Sequence, residues 1–253
     1  MTGTAPTTAV PARTPPAPRS DRMTGRQLAA GTGLALVLAA AACTLTSLAA
    51  HAAAPHWART DGLTVLLVAE AYLAVIAGLV IAAGGPARAR DLLAVRRPTA
   101  RQLAWSFIVL LAAVAAALAV SLAFSPLTGG IPATLREIVR SGSDEARMPT
   151  ATPLVWALIV VRLAALTGPA EEMFFRGALY GWLRRYLPVA AVITVTAGLF
   201  ALEHAYYPVL LPLALGYGLA AGWVRHRTGS IVITIAMHIA VDFALFFAAV
   251  ALA

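Results

Sequence analysis

The chain predicts an all-α, polytopic helical membrane protein, on three observations. Of its 253 residues 60 % are hydrophobic and only 12 % charged, and the mean hydropathy is +0.81, about half the charge of an ordinary soluble domain and too little to cover a soluble surface. The apolar residues fall in runs of about twenty, the length that crosses a ~30 Å hydrocarbon core as helix. A single cysteine, Cys43, allows neither an internal disulfide nor a cysteine-rich zinc module. All 19 basic residues are arginine, and the net charge of +8 stands outside the apolar runs. Topology arginines account for that charge without a nucleic-acid surface, so the expected partners are membrane lipid and a peptide or protein, with no nucleic acid.

Residues 1–27 are rich in Pro, Thr, Ala and Arg with no apolar run, and read as a disordered tail. Leu28 to Ala50 is the first span, too long for a signal-peptide core. The next are Leu63 to Ala83 and Leu103 to Phe124, followed by Leu154 to Tyr186, Val189 to about Ala205, Val209 to Val224, and Ile231 to Ala253. That makes about seven crossings. Leu154 to Tyr186 would run roughly 50 Å as one helix, so a kink or break is expected near Gly168-Pro169; one helix and two are both open. The organisation expected is a tail over 1–27, N-terminal helices and loops over 28–152, and a catalytic core over 153–253.

Arginine placement sets an orientation, because positive charge marks the cytoplasmic side of short loops. Arg13, Arg19, Arg22 and Arg26 precede the first span, Arg88, Arg90, Arg96, Arg97 and Arg101 follow the second, and Arg184, Arg185, Arg225 and Arg227 fall on later loops of the same parity. Arg59 with Asp61, and Arg136, Arg140 and Arg147 with Glu137, Asp144 and Glu145, are balanced and fit the other side. The expectation is a multi-pass protein of a bacterial plasma membrane, with a cytoplasmic N-terminus and an external C-terminus.

Charges inside a bilayer cost several kcal/mol, so each marks a functional candidate. They cluster: Glu171, Glu172, Arg176, Glu203, His204, His238 and Asp242 lie in the last hundred residues, against Glu70 alone in the first three spans. Glu172 and Arg176 form an i, i+4 pair in the favourable order. Glu171, about 100° around the helix, has no such partner and suits a general base. It lies 17 residues before Pro188 and His204 16 residues after, so a turn at Leu187-Pro188 brings them to one depth. His238 approaches from the same side, and Asp242, four residues on, shares its helix face. An ion pair alone would need only one of the two glutamates. Glu203 reads as interfacial, Glu70 and Arg162 as isolated groups that pair or snorkel, and Phe174, Phe175, Trp182, Tyr206 and Tyr207 as lipid-facing aromatics. Such a cavity activates water for hydrolysis, binds a divalent ion, or relays protons.

EEMFFRG from Glu171 to Gly177, FALEH from Phe200 to His204 and HIAVD from His238 to Asp242 resemble, in order and spacing, the EExxxR, FxxxH and HxxxN/D motifs of the CPBP intramembrane proteases. That family includes the CAAX prenyl endoproteases and bacterial proteins linked to bacteriocin processing and self-immunity. The resemblance covers about Leu154 to Phe247. It implies an intramembrane endopeptidase in which Glu171 activates water and His204 helps to hold or deprotonate it. Glu172 and Arg176 would fix the site, Phe200 would pack beside it, and His238 with Asp242 would stabilise the oxyanion or position water. Asp242 stands where the eukaryotic CAAX enzymes have asparagine. Both a divalent metal such as zinc, held by Glu171, His204 and His238, and a metal-free glutamate mechanism are compatible with these residues. The rival readings are a non-catalytic immunity or scaffold protein and a proton-coupled transporter. The latter would be favoured by an inverted repeat, which the sequence lacks.

Overall fold

Uninterrupted runs of Ala, Leu, Val and Ile satisfy every backbone donor within the helix, the condition for a chain segment in lipid. In a computed structural model, which describes residues 22–53, 61–142 and 152–252, these runs and two shorter polar segments form nine α-helices among the described residues. They are α1 (Gly25–Ala53), α2 (Asp61–Ala83), α3 (Pro86–Leu92), α4 (Ala100–Ala123), α5 (Ile131–Gly142), α6 (Pro153–Leu183), α7 (Val189–Glu203), α8 (Leu211–Thr228) and α9 (Ile231–Leu252). Six of them, α1, α2, α4, α6, α8 and α9, are long and apolar enough to span a membrane. Large aliphatic side chains such as Leu36, Ile108 and Leu111 stay exposed on their outer faces, as a lipid solvent permits.

One feature differs from the sequence expectation, and one alternative left open there is decided. The fifth expected crossing, α7, has only 15 residues and reaches about 22 Å, so an end that starts at one surface stops within the hydrocarbon. Pro188, in extended conformation, starts it, and His204 is its C-cap. Gly168-Pro169 does not divide the chain into two helices: α6 runs on through it, with π-helical turns at Leu163–Thr167 and Met173–Leu179 on either side. A π turn widens the helix ahead of Pro169 and so accommodates its missing N–H and its ring, which would otherwise strike a carbonyl one turn back. Gly168 serves a close approach instead. A Cβ there would lie 3.3 Å from Ile239 Cγ1 and 3.4 Å from His238 Cβ, so its absence lets α9 bring His238 against α6.

Of the tail expected over 1–27, residues 1–21 lie outside the described residues, as do Arg59, Asp144, Glu145 and Arg147. Met23 is fully buried and α1 starts at Gly25, three residues ahead of the expected Leu28. Arg22 donates to the Arg184 carbonyl at 3.1 Å, Arg185 donates to the Arg22 carbonyl, and Ser230 Oγ donates to the Arg96 carbonyl at 2.6 Å. The arginine-bearing segments therefore meet at one end of the helix bundle, as the loop parity requires.

The pair α1 and α2 packs through small residues. A Cβ on Gly78 would stand 2.5 Å from the Gly31 carbonyl oxygen and 2.9 Å from the Ala35 amide, both backbone atoms that cannot rotate away. Gly78→Ala is expected to cost about 1–3 kcal/mol, read as a lower Tm in detergent. Parent-like Tm values for both Gly78→Ala and Gly78→Val would contradict this packing.

Candidate active site

The polar residues of α6 and α9 converge where the aromatic core is densest, among Phe175, Phe200, Tyr217 and Met237. Glu172 is fully buried. Its Oε1 accepts from Arg176 Nη1 at 2.9 Å and from His238 Nδ1–H at 3.2 Å. The Tyr217 hydroxyl lies 3.0 Å from that oxygen and 3.0 Å from the Thr234 carbonyl; having one proton, it donates to one of them at a time. The Arg176 guanidinium, also fully buried, sits over the rings of Phe200 at 4.5 Å, Tyr217 at 5.3 Å and Phe175 at 5.7 Å, so cation–π attraction adds to the ion pair. The expected i, i+4 pair is present, and it is the dry centre of the site.

Glu171 faces elsewhere. Its Oε1 accepts from the Tyr72 hydroxyl of α2 at 2.8 Å, so the carboxylate expected to lack a partner has one, from a helix a hundred residues away. Its Oε2 is buried without a hydrogen-bond partner and lies 3.6 Å from His238 Nε2. Asp242 Oδ1 is 3.6 Å from the same nitrogen. Glu172 holds Nδ1 of the His238 ring, and Glu171 and Asp242 flank Nε2. Gaps of that length are wider than a hydrogen bond, and a small polar molecule completes such contacts.

The hydrogen bond of His204 goes to its own helix. As the α7 C-cap its Nδ1–H donates to the Phe200 carbonyl at 2.9 Å, satisfying a helix-end acceptor. Its ring meets Phe200 at 4.7 Å, tilted by 40°, while Phe200 meets His238 at 5.8 Å; the two histidines share the Phe200 ring. Among the described residues no group of three or more His, Cys, Asp and Glu side chains is arranged to hold a metal ion.

A cavity of about 290 Å³ opens beside Glu171, between α1, α2 and α6, with Thr32, Ala35, Tyr72, Phe174 and Glu203 among its walls. Glu203, expected to be interfacial, is exposed and also faces this space. Phe175, expected to face lipid, is buried against Phe200 at 5.4 Å. Glu70 accepts from Thr46 at 2.5 Å and Arg162 donates to Thr167 at 3.4 Å, so neither reaches the site by these bonds. A search for charges passes over Tyr72 and Tyr217; a hydroxyl on an otherwise apolar span was the available signal.

Residues 152–244 match the family model described as type II CAAX prenyl endopeptidase Rce1-like. The match covers less than half of the chain, and its C-terminal part is similar to that family. No curated protein and no solved structure matches the chain. The matched segment holds all three motifs, and at the family level the match supports a CAAX-type intramembrane protease. Tyr72 and the α1 wall of the cavity lie outside the matched segment.

Proposed function

We propose that the protein is an intramembrane endopeptidase that cleaves a peptide bond of a membrane-associated substrate, with Glu171 as general base. The observation that carries this reading is the division of labour between adjacent glutamates. Glu172 is held by a cation, a histidine and a tyrosine hydroxyl, whereas one oxygen of Glu171 is left unsatisfied at the edge of a cavity. A water bound between Glu171 Oε2 and His238 Nε2 loses a proton to the carboxylate as its oxygen attacks the substrate carbonyl. His238, when it carries a proton on Nε2, donates to the developing oxyanion. The proton held by Glu171 then passes to the leaving amine, the C–N bond breaks, and two peptide products remain. Asp242, acceptor-only when ionised, acts on His238 and not on the oxyanion. His204 positions the wall of the site through Phe200.

The test is cleavage of fluorogenic prenylated CAAX-type and leader-type membrane peptides by the purified full-length protein in nanodiscs. Turnover of either probe that disappears in Glu171→Gln supports the reading; a protein inactive on both favours the scaffold alternative.

Tyr72 gives this reading a consequence in a helix outside the matched segment. Its hydroxyl holds Oε1 of Glu171, which leaves Oε2 as the oxygen turned toward His238 Nε2. Tyr72→Phe should lower kcat about tenfold with KM nearly unchanged, the size of one lost hydrogen bond to a charged group. A raised KM with intact kcat would instead make Tyr72 a substrate contact.

A further inference from the structure

At the arginine-rich end of the bundle, α4 and α8 repeat one pattern in opposite chain directions. Arg101 and Trp105 are four residues apart near the start of α4, and Trp223 and Arg227 are four residues apart near the end of α8. On each helix the arginine is therefore the outer residue, with the tryptophan on the same face one turn deeper. The two indoles meet edge to face at 5.4 Å, and the Arg227 guanidinium lies 5.5 Å from the Trp223 ring. Together with Thr99 and Gln102 these four residues line a cleft of about 490 Å³ with no acidic side chain in its wall. Thr99 and Gln102 are already joined in a capping box in which Gln102 Oε1 accepts from the Thr99 amide at 2.9 Å, leaving the Gln102 NH₂ as a donor. Below the tryptophans the same faces continue with exposed Ile108 on α4 and with Leu219 and Leu215 on α8.

We propose that this cleft is a binding site for an anionic phospholipid. Arg101 and Arg227 take the phosphate, by the charge-assisted contacts that guanidinium groups make best. Trp105 and Trp223 lie at the glycerol level, where amphipathic rings settle, and an acyl chain runs down the apolar strip toward Ile108 and Leu215. The depth order of charge, aromatic and aliphatic groups on both helices matches that of a lipid and not that of a free anion. A protein partner would bring no chain for the aliphatic strip. The site is separate from the Glu171 cavity and holds whether or not the protein is a protease.

The experiment is native mass spectrometry of the full chain in detergent, titrated separately with phosphatidylglycerol, phosphatidylcholine and inorganic phosphate. Phosphatidylglycerol is expected to form a one-lipid complex, weakened roughly tenfold or more by Arg101→Gln with Arg227→Gln. It should be unchanged by Arg88→Gln with Arg90→Gln, exposed arginines at the same end but outside the cleft. Thermal unfolding of both variants checks that each is folded. Equal binding of phosphatidylcholine, equal loss in the two double variants, or full displacement of the lipid by inorganic phosphate would each overturn the proposal.

Discussion

Replacing Glu171 by glutamine is expected to remove turnover by a factor of at least about 10²–10⁴, the range supplied by a positioned general base, while Tm and substrate affinity stay close to the parent. The amide keeps the volume of the carboxylate and can still accept from the Tyr72 hydroxyl through its carbonyl oxygen. What it loses is the oxygen that lies, without a hydrogen-bond partner, 3.6 Å from His238 Nε2. Single-turnover cleavage of a fluorogenic membrane peptide measures the loss, and peptide binding to the variant measures affinity separately. Turnover within a few-fold of the parent would remove Glu171 from the role of base.

Glu172→Ala and Arg176→Ala should behave in the opposite manner, costing roughly 3–5 kcal/mol of stability. Both side chains have no exposed surface and are joined at 2.9 Å, so deleting one leaves the other charge buried without its counter-ion. Loss of Glu172 also releases His238 Nδ1 and the Tyr217 hydroxyl, which both meet its Oε1; activity falls along with expression and Tm. Loss of Arg176 leaves those two contacts in place, and its aromatic surround of Phe175, Phe200 and Tyr217 then encloses a hole. Glu171→Ala should keep most of the parent's Tm. If Glu172→Ala and Arg176→Ala were as stable as the parent and only inactive, the two glutamates would not divide into a structural and a chemical one.

Much of this was legible in one dimension because lipid imposes one-dimensional rules. Hydrocarbon thickness sets the length of a span, and the unsatisfied backbone leaves only helix as a solution, so the apolar runs located α1, α2, α4, α8 and α9. The concentration of charge within them located the cluster of Glu171, Glu172, Arg176, His238 and Asp242, and an i, i+4 spacing located the Glu172 and Arg176 pair.

What the chain order could not determine depended on which helices become neighbours and on how each helix is wound. Tyr72 is 99 residues from the carboxylate it binds, and no periodicity couples α2 to α6; only the close approach of helices does. The short α7 ends at His204 and turns that histidine's Nδ1–H back to the Phe200 carbonyl, a helix-end bond that counting residues does not reveal. Pro169 alone signals a break, yet the π turns on either side keep α6 continuous, because backbone carbonyls respond to the whole packed surround and not to one ring. Sequence alone therefore determined that this is a membrane protein with a buried acid and histidine site, through hydropathy and local spacing. Tertiary packing decided which glutamate is neutralised and which faces the cavity, because that choice rests on side chains contributed by other helices.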